Sequence, residues 1–452
     1  MKMLKFLKLE KNVNAVIFIL IIALLVLLVP HMFRYFYGSG MNNYFLSLSE
    51  NFIQEDFVFP YGLPFVLGLL SLVLPLNITC IVLGVLLGLG SMYLFYIILK
   101  KFKVRLNLRI ISCLVLSISP PFLYLFYGCN KYAIPIFLSL LAFYFFISEK
   151  KWFIFSFLLV GLFNMGILFL NLFLFLLYVL INRKYFKYFL KTLIISLIVF
   201  VISYIPTFLS FGLPKIFVLD GFFKNFVSDL GGRFGLGIFS ILIGGAGLFF
   251  SWKEKKKYWL VYLGIFALLL LAIRFDVVVL YFNFVLSFLI GIAFVSLVNR
   301  NWANKNVKSL MILVFVCGLL FSGLSYVNRI SDSPSKEFVE GLDFLDGRSV
   351  VFSSYENGLL IKSEGNEVVL DEEFWNIEDV HERWKDSEKL FRGNNLNEAL
   401  EIIGKYDIGF VFIDNKMKRE IWDNKKEGLL FVLENRFEKV FDNNVVEIWK
   451  VN

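Results

Sequence analysis

The stretch VVVLYFNFVLSFLIGIAFVSLV, residues 277–298, contains no charged side chain. A helix needs about 20 apolar residues to cross the hydrocarbon core of a bilayer, so this stretch predicts a membrane-spanning helix. The whole chain has the same character, because 58% of its 452 residues are hydrophobic and only 18% are charged. A soluble globular domain has about a quarter charged residues. The composition therefore excludes a soluble enzyme and predicts a multispanning membrane protein.

Similar apolar stretches recur along most of the chain and predict an α-helical polytopic membrane protein with about 11 transmembrane helices. They lie at 13–30, 77–99, 110–127, 132–148, 152–166, 167–182, 190–208, 235–251, 258–273, 277–298 and 308–328. The composition then becomes charged, and β-like runs alternate with helical patterns, which indicates a small α/β domain. We therefore predict a transmembrane domain over 1–330 and a soluble domain over 331–452.

Basic residues are distributed unevenly between the predicted loops. The N-terminus and every second loop carry 22 Lys and Arg residues, whereas the opposite loops carry six. Because Lys and Arg accumulate on the cytoplasmic side of the cell membrane, the N-terminus is predicted to be cytoplasmic and the C-terminal domain extracytoplasmic. The net charge of +9 belongs mostly to the membrane part. It gives no reason to expect a nucleic-acid partner.

The apolar stretch 63–75 is too short to cross a bilayer and contains Pro64 and Pro75 near its ends. If it crossed, the basic run 100–109 would lie outside the cell. We therefore predict that it is an interfacial helix within one long external loop, 31–76.

Several segments together resemble a known superfamily. They are MNNYFLSLSENFIQ (41–54), with helical spacing of its apolar residues, EDFVFPYGLP (55–64), SISPP (117–121), RSVVFSSYENG (348–358), KYDIGFVFID (405–414) and FEKVFDNNVVEIWKV (437–451). In this order they resemble the GT-C superfamily of membrane glycosyltransferases, which includes protein mannosyltransferases and the archaeal oligosaccharyltransferases. The resemblance implies transfer of a sugar from a polyprenyl-phosphate carrier to a lipid or protein acceptor at the external membrane face.

The resemblance also implies a carboxylate near the membrane surface, as a base or as a ligand for a divalent cation such as Mg²⁺ or Mn²⁺. The superfamily has an Asp in the first loop helix, where this chain has Asn42 and Asn43. An amide cannot act as a base. Glu50, Glu55 and Asp56 lie nearby and are the candidate catalytic carboxylates; the alternative is that they are solvated charges at helix ends.

Three further residues are candidates for the same site. The resemblance makes Asp229 a candidate metal ligand beside Asp56, although Asp and Gly are also common in ordinary turns. Arg274 lies at the predicted external boundary, where its planar guanidinium suits a lipid phosphate. Pairing with Asp276 would explain it equally well. Arg233 is a second candidate for the phosphate, and no other cofactor is expected.

Two classes of function therefore stay open. The first is a GT-C-like glycosyltransferase, with inverting displacement at a polyprenyl-phospho-sugar. The second is a non-catalytic relative that binds the lipid carrier or assembles a cell-envelope glycosylation system, which the loss of the first-loop Asp favours. A transporter or channel is disfavoured, because the acidic residues lie in the predicted loops rather than within the spans.

Overall fold

The computed structural model describes most of the chain, in the ranges 12–33, 62–74, 76–127, 130–211, 226–230, 235–252, 255–330, 334–345, 347, 349–372, 377–393, 395–423, 425 and 427–451. The chain divides into two compact units. The first comprises Met1–Phe36, Asn77–Val201 and Leu219–Ser331, and the second comprises Tyr37–Leu76, Ile202–Val218 and Asp332–Asn452.

Helices occur at every place where the sequence predicts a span. The described helices of the apolar part are α1 (Asn12–Phe33), α2 (Gly62–Ser71), α3 (Leu76–Lys101), α4 (Leu106–Ser117), α5 (Pro120–Phe126), α6 (Ala133–Ile147), α7 (Trp152–Phe163), α8 (Met165–Ile181), α9 (Phe186–Phe211), α10 (Ile238–Ser251), α11 (Lys255–Arg274), α12 (Asp276–Asn299) and α13 (Lys305–Ile330).

Five of these helices are long and apolar enough to cross a membrane: α1, α3, α9, α12 and α13. Helices α4 and α5 would form a sixth crossing as one bent span. The other apolar helical segments have 10–17 residues. At 1.5 Å per residue they are shorter than the roughly 30 Å hydrocarbon core. The predicted helical membrane architecture is confirmed, and the figure of about 11 spans stays a prediction.

The bend between α4 and α5 measures 65°. Pro120 occupies the first position of α5, where its missing N–H costs nothing. The Ser119 hydroxyl donates to the carbonyl oxygen of Leu116 at 2.7 Å and accepts from Asn283 Nδ2 of α12 at 2.8 Å. Side chains therefore supply polar contacts at the bend, as a broken helix in a bilayer requires.

A second break separates α7 from α8. Asn164 lies between them in extended conformation, and its Oδ1 accepts from the backbone N–H of Ile167 at 3.0 Å, which caps α8. One turn further on, Asn171 and Tyr281 both donate to the hydroxyl of Ser139 at 2.6 Å. These contacts join α6, α8 and α12 through hydrogen bonds inside the bundle.

Helix α12 packs closely against α10 and α4 because a glycine lies at each of the two contacts. A Cβ atom on Gly247 of α10 would overlap the carbonyl oxygen of Leu289, whereas a Cβ on Gly245 would meet open space. On another face, a Cβ on Gly291 would overlap the Ser112 hydroxyl of α4. Gly247 therefore permits the close approach of α10 to α12, whereas Gly245 takes no part in it.

Helix α2 carries an exposed apolar stripe. Phe65 and Leu69 lie one turn apart on it and are about half exposed, and Leu72 and Val73 follow it with more than four fifths of their surface accessible. Ten residues rise about 15 Å, which is too short for a crossing. The location of this helix at the membrane interface stays a prediction. The predicted helical segment 41–54 lies outside the described residues.

The C-terminal domain contains the predicted strands and two additional helices. Its elements are α14 (Lys336–Asp343), β1 (Val350–Phe352), α15 (Tyr355–Ser363), β2 (Glu367–Val368), α16 (Val380–Arg392), α17 (Leu396–Lys405), β3 (Ile408–Asp414), α18 (Asn415–Trp422), α19 (Leu429–Arg436), β4 (Glu438–Asp442) and β5 (Val446–Lys450). The strand order is β2-β1-β3-β5-β4, with β1 parallel to β2 and β3, and β5 antiparallel to β3 and β4. The sequence did not predict α15 and α18.

Gly247→Ala tests the packing of α10 on α12. The added methyl group would force the helices apart, and overpacking of this kind costs about 1–3 kcal/mol. We expect a lower midpoint of thermal unfolding for the purified protein in detergent. Gly245→Ala is the matched control, and it should leave the midpoint unchanged or raise it, because alanine favours the helix. Equal midpoints for the two variants would contradict the packing.

Candidate functional site

The predicted site residues are unevenly covered by the structure. Glu50, Glu55, Asp56 and Arg233 lie outside the described residues. Arg274 is the last residue of α11, and its side chain also lies outside the described part. Asp229 is the one predicted site residue whose side chain and contacts the structure describes.

Asp229 belongs to a short connection before α10. Phe226 and Ser228 exchange backbone hydrogen bonds with Leu236 at 2.8 and 3.0 Å, which closes residues 226–236 into a loop. A Cβ on Gly235 would lie within 2.7 Å of backbone atoms of residues 226–228, so only glycine fits there. The loop thereby brings Asp229 to the first turn of α10.

Both carboxylate oxygens of Asp229 accept short hydrogen bonds. Oδ2 accepts from the backbone N–H of Ile238, the first residue of α10, at 2.7 Å. Oδ1 accepts from the Ser322 hydroxyl of α13 at 2.7 Å and from the hydroxyl of the preceding residue, Ser228, at the longer distance of 3.4 Å. The negative charge lies at the positive end of the α10 dipole, which stabilises it. Asp229 therefore joins the loop to two helices. We call Asp229, Ile238 and Ser322 the Asp229 clamp.

The clamp is compatible with cation binding. An ionised carboxylate has about four lone-pair positions. Oδ1 of Asp229 uses its two positions for the hydroxyl groups of Ser322 and Ser228, whereas Oδ2 keeps one after accepting from Ile238. Carboxylate oxygens are the ligands that hard divalent cations prefer. Within the described ranges, no group of three or more His, Cys, Asp and Glu residues could hold a metal ion. Asp229 is thus the single described member of the predicted ligand set.

The C-terminal domain has its own candidate site at the edge of its sheet. The chain leaves β1 towards β2 on one side and later returns to β3 on the other side of β1. In α/β sheets in general, ligands bind in the crevice outside the carboxyl ends of the two parallel strands at such a reversal. Helices α15 and α18 both begin at this edge, directly after β1 and β3.

A buried polar network holds the two helix starts together. Asp414 accepts from the backbone N–H of Met417 at 2.7 Å, which caps α18, and from Asn357 Nδ2 of α15 at 2.7 Å. Asn357 also donates to the Ser353 hydroxyl at 3.2 Å. Nearer the surface, Lys416 and Glu356 form an ion pair between the first turns of α18 and α15.

The network falls in segments that the sequence singled out for their resemblance, but the individual residues were missed. Asp414 ends KYDIGFVFID, and Asn357 lies in RSVVFSSYENG. The sequence signal that could have found them is the N-cap pattern. Ser354 directly precedes the helix that contains Asn357, Asp414 directly precedes α18, and Ser and Asp are preferred N-cap residues. Ser322 had no such signal, since its partner lies 93 residues away in the chain.

Asp414→Ala tests the network. The variant removes the cap of α18 and the partner of Asn357, and losses of this kind cost about 1–3 kcal/mol. We expect faster hydrogen exchange at the Met417 amide and a less stable C-terminal domain in the full chain. Glu401→Gln, at an exposed position of α17, is the control. Unchanged exchange at Met417 would show that Asp414 does not hold α18.

The comparisons with known proteins agree with the predicted resemblance. No protein-family model matches the chain, and no curated protein matches it. The apo crystal structure of the Archaeoglobus fulgidus oligosaccharyltransferase aligns with a TM-score of 0.65 at 11% identity, over 96% of this chain and 73% of that chain. The same archaeal enzyme, AglB, in complex with an inhibitory peptide and a dolichol-phosphate aligns with a TM-score of 0.62 at 11% identity, over 90% and 69%.

A third structure of that enzyme, in complex with Zn and sulfate, aligns with a TM-score of 0.60 at 11% identity, over 94% of this chain and 71% of that chain. The GT-C resemblance predicted from the sequence is therefore confirmed for the fold. The chain has the fold of the archaeal oligosaccharyltransferases.

Proposed function

We propose that the protein is a GT-C glycosyltransferase that moves a sugar from a polyprenyl-phosphate carrier to a lipid or protein acceptor at the external membrane face. The carrying observation is the structural likeness to an archaeal oligosaccharyltransferase over 96% of this chain. A likeness that covers only apolar helices would support membrane insertion alone. One neighbour is described with a dolichol-phosphate and an inhibitory peptide, which supports a lipid-linked donor and a separate acceptor.

The expected reaction is an inverting displacement. A nucleophilic atom of the acceptor attacks the anomeric carbon of the sugar, the bond from that carbon to the phosphate oxygen breaks, and polyprenyl phosphate leaves. A carboxylate takes the acceptor's proton. In this proposal Glu55, Asp56 or Glu50 is that base, in place of the Asp that the superfamily has in its first loop.

The remaining charged candidates bind the donor. Asp229 and Asp56 would hold a divalent cation, which offsets the negative charge of the phosphate when it is bound. The complex of the archaeal neighbour with Zn and sulfate supports a metal in this fold. Arg274, and secondarily Arg233, would contact the lipid phosphate through the guanidinium group.

The acceptor would dock on the C-terminal domain, at the crevice between the ends of β1 and β3. That edge combines two helix starts with the buried Asp414 network and the Lys416–Glu356 ion pair at its rim. The charged groups of Lys416 and Glu356 suit the polar groups of a peptide or a sugar.

A non-catalytic subunit that binds the lipid carrier is the second candidate function. Two observations favour it. Asn42 and Asn43 stand where the superfamily has a carboxylate. The described carboxylate, Asp229, is also held on both oxygens by protein groups, as a purely structural residue would be.

A measurement of sugar transfer distinguishes the glycosyltransferase from the non-catalytic subunit. The purified protein in liposomes is given radiolabelled polyprenyl-phosphate sugars, and transfer of label to lipid and peptide acceptors is measured. We expect transfer by the wild type. Loss of a general base or a metal ligand should slow it by about 10²–10⁴-fold in at least one of Glu55→Gln, Asp56→Asn and Asp229→Asn.

Glu149→Gln is the control for this experiment. Glu149 is an exposed acid on the predicted cytoplasmic side, paired with Lys184. Its replacement should leave transfer unchanged. Binding of the carrier without turnover of any donor would instead support the non-catalytic subunit.

A further variant tests the proposed docking of the acceptor on the C-terminal domain. Glu356→Gln breaks the ion pair with Lys416 at the rim of the crevice. It should raise the KM of the acceptor about three- to tenfold and leave the KM of the donor unchanged, which corresponds to about 0.7–1.4 kcal/mol of acceptor binding. Glu401→Gln again serves as the control. An unchanged acceptor KM would contradict docking at this edge.

A further inference from the structure

Ser322 forms an unusual hydrogen bond for a serine in an apolar helix. Ser71, Ser139 and Ser251 each donate to a carbonyl three or four residues earlier in their own helix. That local bond is the ordinary way to satisfy a helical hydroxyl. Ser322 is 1% exposed and donates instead to the carboxylate of Asp229, 93 residues away.

The space around the hydroxyl is fitted to this contact. A Cβ atom on Gly237 would overlap the Ser322 hydroxyl, so a larger residue at 237 would displace it. Gly237 is the residue directly before α10, and Ile238, whose N–H holds the other carboxylate oxygen, follows it. One buried hydroxyl, one glycine and one backbone N–H therefore determine the position of Asp229.

Two hydrogen bonds to different oxygens fix the direction of a carboxylate. Rotation about the bond between Cβ and Cγ of Asp229 would break the bonds to Ser322 and Ile238 together. Hydrogen bonds to a charged acceptor are stronger than those between neutral groups, so the observed orientation dominates. The lone pair that stays open on Oδ2 of Asp229 consequently keeps one direction. Catalytic and metal-binding groups need such fixed geometry.

We propose that Ser322 is a positioning residue of the sugar-transfer site, and that it orients the Asp229 carboxylate towards the cation or phosphate region of the donor. This inference rests on the proposed function for its purpose and on the Asp229 clamp for its geometry. It gives helix α13, which the sequence predicted only as a membrane span, a role in the sugar-transfer site.

The variants Ser322→Ala and Asp229→Asn test separately the hydrogen bonds that hold Asp229 and its negative charge. Ser322→Ala keeps the carboxylate and removes the hold from Ser322, so that the hold from Ile238 and the longer hydrogen bond from Ser228 stay. Asp229→Asn removes the charge and can keep both holds, because the amide oxygen accepts from Ile238 while the amide nitrogen donates to the Ser322 hydroxyl, which is able to accept. Ser91→Ala is the matched control. Ser91 is fully buried, and its hydroxyl has no hydrogen-bond partner among the described residues.

The first readout is hydrogen exchange at the Ile238 amide in the full-length protein. It should speed up about ten- to a hundredfold in Ser322→Ala, and it should stay near the wild-type rate in Asp229→Asn and Ser91→Ala. Exchange in Ser322→Ala equal to that in Ser91→Ala would overturn the clamp itself. This readout needs no turnover.

The second readout is sugar transfer by the same four proteins. Transfer should fall about tenfold or more in both Ser322→Ala and Asp229→Asn and should stay unchanged in Ser91→Ala. Faster amide exchange with full transfer in Ser322→Ala would overturn positioning and leave a purely structural bond. If the wild type transfers no sugar, the proposed function fails and the purpose given to Ser322 fails with it. The exchange result still decides whether Ser322 holds Asp229.

Discussion

The first compact unit of the chain, here named the membrane unit, depends on the close packing of helix α12. Among the five helices that could cross a membrane, α12 has the largest share of its apolar span buried, 78% against 17–50% for the others. Apolar burial gives little association energy within lipid, so a central helix must be held by close contact and hydrogen bonds. Gly247 and Gly291 allow the contact, and Tyr281 and Asn283 of α12 supply the hydrogen bonds.

The candidate site depends on this packing through α10. Gly247 places α10 against α12, and the first residue of α10 holds Asp229. Ser322 of α13 completes the hold. The direction of one carboxylate is therefore determined by contacts among three helices. A substitution at Gly247, about two turns into α10, would act on the Asp229 clamp without touching it.

Much of this architecture was predictable from the sequence. Apolar run length predicted each helix, because a segment in lipid has no other way to satisfy its backbone. The predicted boundary between the spans 152–166 and 167–182 lies close to the observed break at Asn164. The pattern could not tell Gly247 from Gly245, because periodicity shows that a residue is small and does not show which neighbour it meets. In the C-terminal domain the strands were predicted, whereas α15 and α18, which directly follow β1 and β3, were missed.

The site was less predictable for a physical reason. Asp229 was selected by resemblance, but its partners come from a different part of the chain. Asp414 and Asn357 are 57 residues apart and meet only because β1 and β3 lie side by side. Contacts of this kind follow from tertiary packing, which local sequence patterns do not encode. The acidic residues of the first loop lie outside the described residues, so their part in the site stays a prediction from sequence.

The central claim is that the membrane unit binds the phosphate of a lipid-linked sugar beside the Asp229 clamp. An experimental structure of the protein in nanodiscs with a polyprenyl phosphate and Mn²⁺ tests this claim most directly. The account predicts the lipid phosphate within about 5 Å of the Asp229 carboxylate, as a bridging cation with metal–oxygen bonds of roughly 2–2.6 Å would require. A phosphate bound more than about 12 Å away, several times that bond length, would contradict it.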